Sequence, residues 1–221
     1  MFKEKIKKIK SITDVINTDD LKVITNDKNA YIKAGYTKWL NRLRRWLYSL
    51  DKNIDSLRIA NELVTPSYVS LETVLSFYSI IPDAVVTYNS ITTKPRKTYK
   101  NDFWTFYYSN LKKDLYFWYK FENWIFSAEK EKALLDYFYL KSKDLKLTIY
   151  DYNHIDKKKF SSMWCRKAYS WFKGERFENL DILSFRKLKN YSKKFNKKVY
   201  YMTKLLIYYY KENEQKFRKI L

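Results

Sequence analysis

An α+β fold follows from three features of the sequence. Two glycines and three prolines in 221 residues leave too few turn formers for an all-β sandwich. Two strand-like runs lie in the middle of the chain, residues 85–93 being rich in β-branched side chains and 103–108 in aromatics. Elsewhere apolar residues recur at helical spacing. A hydrophobic content of 46%, with 19% aromatics, is enough for a real core despite 31% charged residues.

In chain order, residues 3–10 form a short amphipathic pattern with Ile6 and Ile9 on its apolar side. Asn17 or Thr18 can cap a helix whose first turn holds Asp19 and Asp20 and which carries Leu21, Val23 and Ile24. Asn26 and Asp27 break it. Residues 28–34 make a further short helix, stopped at Gly35. In the ribbon 36–50, Trp39, Leu43, Trp46 and Leu47 fit one helix as well as two strands, interleaved with Arg42, Arg44 and Arg45. Helix, helix, glycine and basic aromatic ribbon is the order of a winged helix-turn-helix, expected over 1–57, with residues 58–221 as a mixed domain of a small sheet and a helical C-terminal part. In that arrangement Lys28, Asn29, Tyr31 and Lys33 face the DNA major groove, and Arg42, Arg44 and Arg45 meet the neighbouring phosphates.

Pro66 biases Thr65 away from the helical region, so a preceding helix should stop there. Ser70 can then cap a helix with Glu72 in its first turn and Leu71, Val74, Leu75 and Tyr78 on one face, a packing face together with Tyr68. Ile80-Ile81-Pro82-Asp83 ends it. Between the two strand-like runs, the basic residues 94–102 read as an exposed loop. The aromatics of 112–126 read as core, with stacking on single-stranded bases as the alternative. Ser127 is placed as the cap of a helix over 128–140, with Ala133, Leu134, Tyr137 and Phe138 facing inward. Helices over 156–172 (stopped at Lys173-Gly174), 184–195 and 199–210 complete the chain, the last with Val199, Met202, Leu206 and Tyr209 on one face.

The formal net charge is +21, divided as +7 over residues 1–60, +2 over 61–150 and +12 over 151–221. Two basic ends flanking a near-neutral middle point to nucleic acid, since each phosphate contact releases counterions. A lysine-rich composition with merely solvated faces is the competing explanation. Cys165 and His154 are each single, so neither a disulfide framework nor a zinc ligand set is expected. The N-terminal stretch has no apolar segment behind its lysines, and no apolar run approaches the ~18 residues of a membrane span, so a cytoplasmic protein is expected. Glycines only at 35 and 174 exclude a phosphate-binding Gly-rich loop. Asp144-Leu145-Lys146 and Asp156-Lys157-Lys158 spell a nuclease-like Asp-x-Lys, an expected coincidence at this lysine content. No catalytic residue, metal or cofactor is predicted.

Four segments resemble one family, the AbiEi antitoxins of type IV toxin–antitoxin and abortive-infection systems. They are P-S-Y-V-S-L-E-T-V-L-S-F-Y-S-I-I-P-D (66–83), S-I-T-T-K (90–94), F-W-T-F-Y-Y (103–108) and S-A-E-K-E-K-A-L-L-D (127–136). The resemblance covers roughly residues 58–140. Ser79 and Trp104 stand where the family tends to have glycine, and Trp46 where it has the wing glycine, in R-L-R-R-W-L-Y (42–48), which looks like a second wing strand. The resemblance implies a promoter-binding N-terminal domain that represses its own operon. It also implies a second domain that counteracts a nucleotidyltransferase-type toxin without necessarily binding it. RNA is a further partner if the toxin modifies RNA. The basic surface for that role is Lys157, Lys158, Lys159, Arg186, Lys187, Lys189, Lys193, Lys194, Lys197 and Lys198. The alternative is a basic RNA- or DNA-binding, or nucleic-acid-modifying, protein that shares only the middle domain.

Overall fold

The computed structural model describes residues 13–27, 29, 40–51, 53–82, 86–101, 104–144, 170–172 and 174–218, with positions 4, 5, 8 and 10 before them and side chains as far as Lys211. All of the predicted helix 28–34 except Asn29, together with its Gly35 stop, and most of the helix 156–172 lie outside these residues. So do Lys28, Tyr31, Lys33, Lys157, Lys158 and Lys159.

The described chain is mixed α and β, built on two sheets. Strand β1 (Val15–Asn17) leads into helix α1 (Thr18–Thr25), and hairpin strands β2 (Asn41–Arg44) and β3 (Leu47–Ser49) complete a three-stranded antiparallel sheet of order β1-β3-β2. Of the two cap candidates, Asn17 is the helix cap and Thr18 the first helical residue. Its Oδ1 accepts the N–H groups of Asp19 (2.9 Å) and Asp20 (2.8 Å). The apolar triad is different from the expectation: Leu21 is buried with Thr18 and Thr25, at i−3 and i+4, whereas Val23 and Ile24 face solvent. The 36–50 ambiguity resolves into strands. Arg42–Tyr48 is not one strand but the hairpin itself, turning at Arg45-Trp46, with a register shift between Arg42 and Arg44.

The second sheet has the order β6-β7-β5-β4-β9-β8. Its strands are β4 (Ser67–Val69), β5 (Thr87–Thr92), β6 (Lys97–Lys100), β7 (Thr105–Asn110), β8 (Tyr119–Glu122) and β9 (Ile125–Ala128). The pairs β5–β7 and β4–β9 are parallel and the other three antiparallel. The basic connection expected as a loop therefore contains an edge strand, β6. Exposed Lys97 and Lys100 keep that edge from pairing with another chain. Tyr68 and Tyr108 point to opposite faces, because Tyr108 lies in register with Ser90 and Ser90 with Val69. Tyr108 Oη donates to the carbonyl of Ala60 at 2.5 Å, and Tyr68 Oη donates to Asp136 Oδ2 at 2.9 Å. Helices thus cover both faces.

The first of these helices is α2 (Ser56–Leu63), capped by Asp55, whose Oδ1 accepts the Leu57 N–H at 2.7 Å. It runs across the boundary expected at 57/58, burying Ile59, Ala60 and Leu63 against β4, β5 and β9, and it ends just before Pro66 as predicted. Helix α3 (Leu71–Phe77) follows Ser70, with Leu71, Val74 and Leu75 buried. Tyr78, the fourth member of that predicted face, is 37% exposed and has the Lys130 ammonium over its ring. Helix α4 (Lys130–Asp144) starts later than predicted, because Ser127 and Ala128 are taken into the ladder with Lys120 and Tyr119. Ala133, Leu134, Tyr137 and Phe138 are buried along it, as expected. Residues 170–172 and 174–175 are helical, so Gly174 lies within helix and is not the expected stop. A 3-10 turn at Leu180–Ile182 leads to α5 (Phe185–Ser192), capped by Ser184, and to α6 (Lys197–Arg218), which extends beyond the predicted 199–210. Helices α4, α5 and α6 pack on one another, with Leu188, Val199, Met202, Leu205 and Leu206 buried between them.

Ser79 and Trp46 both have left-handed backbones, with φ of 52° and 68°. A Cβ costs roughly 1–2 kcal/mol in that region. Ser79 ends α3 through its N–H bond to the Ser76 carbonyl (2.8 Å), and its side chain is exposed. Ser79→Gly is therefore expected to raise stability by about 1 kcal/mol, read as a higher urea midpoint at unchanged m-value. A lower midpoint would show that the serine side chain has a role that outweighs the backbone strain.

Candidate nucleic-acid interface

Among the described residues, three surfaces concentrate exposed charge or aromatic rings. The first is the β2–β3 hairpin, where the alternation of a half-buried ribbon turns Leu43 and Leu47 inward and leaves Arg42, Arg44 and Arg45 exposed. Arg45 lies 4.9 Å from the Trp46 ring centroid, a cation–π contact that keeps the guanidinium at the hairpin tip. Between Arg42–Arg45 and the strand end Tyr99–Asn101 lies a cleft of about 450 Å³, with Lys100 on its far wall. Asn101 Nδ2 donates to the Leu43 carbonyl at 3.4 Å across the two sheets. The three predicted arginines are thus gathered on one basic cleft. Asn29, the described member of the predicted groove-facing set, donates its backbone N–H to Asp27 Oδ1 at 2.9 Å.

The second surface is on α5 and α6. Arg186, Lys189, Lys193 and Lys197 are exposed, Lys198 is half-buried, and two of the predicted lysines are already engaged. Lys187 Nζ donates to Glu129 Oε2 at 3.2 Å, and this hydrogen bond raises its pKa. Lys194 covers Phe117 and Trp118 at 5.0 and 4.6 Å from their ring centroids. The basic face available to a partner is therefore narrower than the sequence implies.

The third is the β8–β9 hairpin, and here the expectation of an aromatic core is overturned in part. Tyr119, Phe121, Trp124 and Phe126 are exposed, Trp124 to 66%. Tyr116, Phe117 and Trp118 are half-buried, and Trp118 stacks on Tyr191. The exposed rings line a groove of about 320 Å³ against the end of α2 and residues 65–67.

Behind these surfaces lies a group the sequence reading missed. Lys132 and Asp136, one turn apart on α4, are completely buried and in direct contact. Asp136 Oδ2 accepts from Tyr68 Oη and Ser70 Oγ, each at 2.9 Å, and Lys132 Nζ donates to Tyr68 Oη at 2.8 Å. Ser70 thus occupies the cap position of α3, but its hydroxyl serves Asp136 and not the helix. The Lys132 ammonium also lies 5.1–5.3 Å from the ring centroids of Tyr68, Phe117 and Phe195. Burial pushes the Asp136 carboxyl up and the Lys132 ammonium down, and their mutual attraction opposes both shifts. An enclosed, fully bonded pair of this kind fixes where α4 sits on the sheet. The i,i+4 spacing of Lys132 and Asp136 was the available signal, and in a lysine-rich helix it looked like a surface pair.

Among the described residues, no three His, Cys, Asp or Glu side chains come together as a metal site, and no helix is long and apolar enough to cross a membrane. Compared with known proteins, the chain matches no family model and no curated protein sequence.

Proposed function

We propose that this chain is an antitoxin and transcriptional autorepressor of a type IV toxin–antitoxin (abortive phage infection) operon, acting in the cytoplasm. In this reading residues 1–57 are a winged helix-turn-helix that holds promoter DNA. Residues 58–221 counteract a nucleotidyltransferase-type toxin. The observation that carries the DNA-binding part is the hairpin: a β1-β3-β2 sheet behind a capped helix, with Arg42, Arg44 and Arg45 exposed around one cleft. Arginines presented this way are suited to phosphate contacts beside a helix in the major groove. The antitoxin part rests on the resemblance over 58–140 and on the basic face of α5 and α6. A second reading, a basic RNA- or DNA-binding protein sharing only the middle domain, draws on the exposed rings of β8–β9.

The test uses the full-length chain, its own promoter fragment and the product of the neighbouring gene. Arg44→Ala with Arg45→Ala is expected to weaken promoter binding and to lower the salt slope by about 1 per lost phosphate contact. Unchanged affinity at two salt concentrations would remove the hairpin from the interface. Charge reversal at Lys189, Lys193 and Lys197 is expected to abolish growth rescue while leaving repression intact. Full rescue by that variant would reduce the lysine face to a solvated surface.

A further inference from the structure

The groove beside the β8–β9 hairpin has the parts of a binding site that promoter contact does not use. Its walls are aromatic faces: Phe121, Trp124 and Phe126 are 54%, 66% and 38% exposed, and Phe121 lies against both of the others. The hairpin is held rigidly. Asn61 Oδ1 accepts the Phe126 N–H at 2.7 Å and its Nδ2 donates to the Phe126 carbonyl at 3.2 Å, tying β9 to α2. Tyr119 is stacked on the buried Tyr68 with ring centroids 5.1 Å apart. These rings are therefore fixed in place and still open on their outer faces.

One ionisable side chain lines the same groove. The Glu62 carboxyl is the acid among the described residues of the groove wall. Burial raises its pKa, and the charge of Arg58, one turn earlier on α2, opposes that rise.

We propose that this groove binds an unpaired guanine base, stacked on the open aromatic faces of the β8–β9 hairpin and held at its edge by Glu62. A volume of about 320 Å³ is near the lower end of small-molecule sites (~300–1,000 Å³) and suits one flat ring system. Aromatic faces stack any base. The carboxylate selects among them: it only accepts, and guanine presents two adjacent N–H donors, N1–H and the 2-amino group, to its two oxygens. Adenine and cytosine each set a donor beside an acceptor, which a carboxylate repels. A cation in the same aromatic setting is disfavoured, because the Arg58 guanidinium already lies 5.6 Å from the Trp124 ring centroid. The chain carries +21, which draws anionic nucleotides and strands toward the groove. The inference is independent of the promoter-binding reading.

Binding of guanosine and adenosine 5′-monophosphate to the full-length chain, by calorimetry at two salt concentrations, tests the site. A U-run RNA with one central G, against the same run without it, distinguishes a base within a strand from a free nucleotide. Guanosine monophosphate is expected to bind about 10-fold or more tighter than adenosine monophosphate, with the preference surviving the higher salt. Glu62→Gln is expected to remove the preference while keeping residual stacking. Trp124→Ala, at an exposed turn, is expected to weaken every base by about 10-fold or more with unchanged circular dichroism. Tighter binding of the G-containing RNA than of the monophosphate makes a strand the natural source; equal binding makes it the nucleotide. Equal affinity for the two monophosphates, no binding of either, or a guanine preference retained in Glu62→Gln overturns the proposal. So does tighter binding of tetramethylammonium, which would mark the groove as a cation cage.

Discussion

Lys132→Met is expected to destabilise the protein by about 3–5 kcal/mol. The substitution keeps the length and apolar stem of the side chain, so little volume is lost. What it removes is the ammonium touching Asp136, leaving a completely buried carboxyl with two hydroxyl donors, Tyr68 and Ser70. Burial already raises the Asp136 pKa, and losing the ammonium raises it further. The sign of the pH dependence follows. A carboxyl whose folded pKa exceeds its unfolded value of roughly 3.9 is best tolerated below that value, and the penalty grows as pH rises through the folded value. The variant should therefore recover part of its deficit in acid relative to the parent. Urea midpoints at several pH values check this. The double variant Lys132→Met with Asp136→Asn should recover much of the loss, because the amide oxygen still accepts from Tyr68 and Ser70 without a buried charge. Additive losses in the double variant would show that the two charges contribute separately and that no pair holds α4 to the sheet.

Leu75→Ala is the second large effect, about 2–5 kcal/mol. Leu75 is completely buried on α3, between α4 and β5, and its carbonyl accepts the Ile80 N–H at 2.8 Å. Truncation removes the apolar area and leaves a cavity that the close-packed core around it cannot readily fill. The measurement is the fall in urea midpoint at constant m-value. A loss under about 1 kcal/mol would mean that α3 moves to close the gap, and with it the packing role of the 66–83 segment would fall.

Local rules carried the sequence reading where one residue's chemistry is enough. The Asn17 cap with two aspartates behind it, the stop before Pro66, the burial of Leu71, Val74 and Leu75, and the inward face of α4 were all legible. The strands at 87–92 and 105–110 were legible too, because β-branched and aromatic runs fit a pleated, buried surface. The three arginines at 42, 44 and 45 could be named, though not the strands that carry them, since their period fits helix and ribbon alike.

Pairing and burial were settled only by the tertiary structure. Residues 97–100 become a strand because β7 offers them an edge, and Ser127 leaves its capping role because Lys120 lies opposite it. The rings of 119–126 face outward on a hairpin whose strand β8 is the last of the sheet among the described residues. Lys132 and Asp136 look like any surface pair in the sequence, and only the stacking of α4 on Tyr68 takes both out of water. Composition and periodicity determined that this chain is basic, mixed α+β and locally capped, since those depend on neighbours a few residues apart. Which charges are buried and which aromatics are open depends on contacts between residues some sixty positions apart, such as Tyr68 with Asp136 and Asn61 with Phe126, and no local period encodes them.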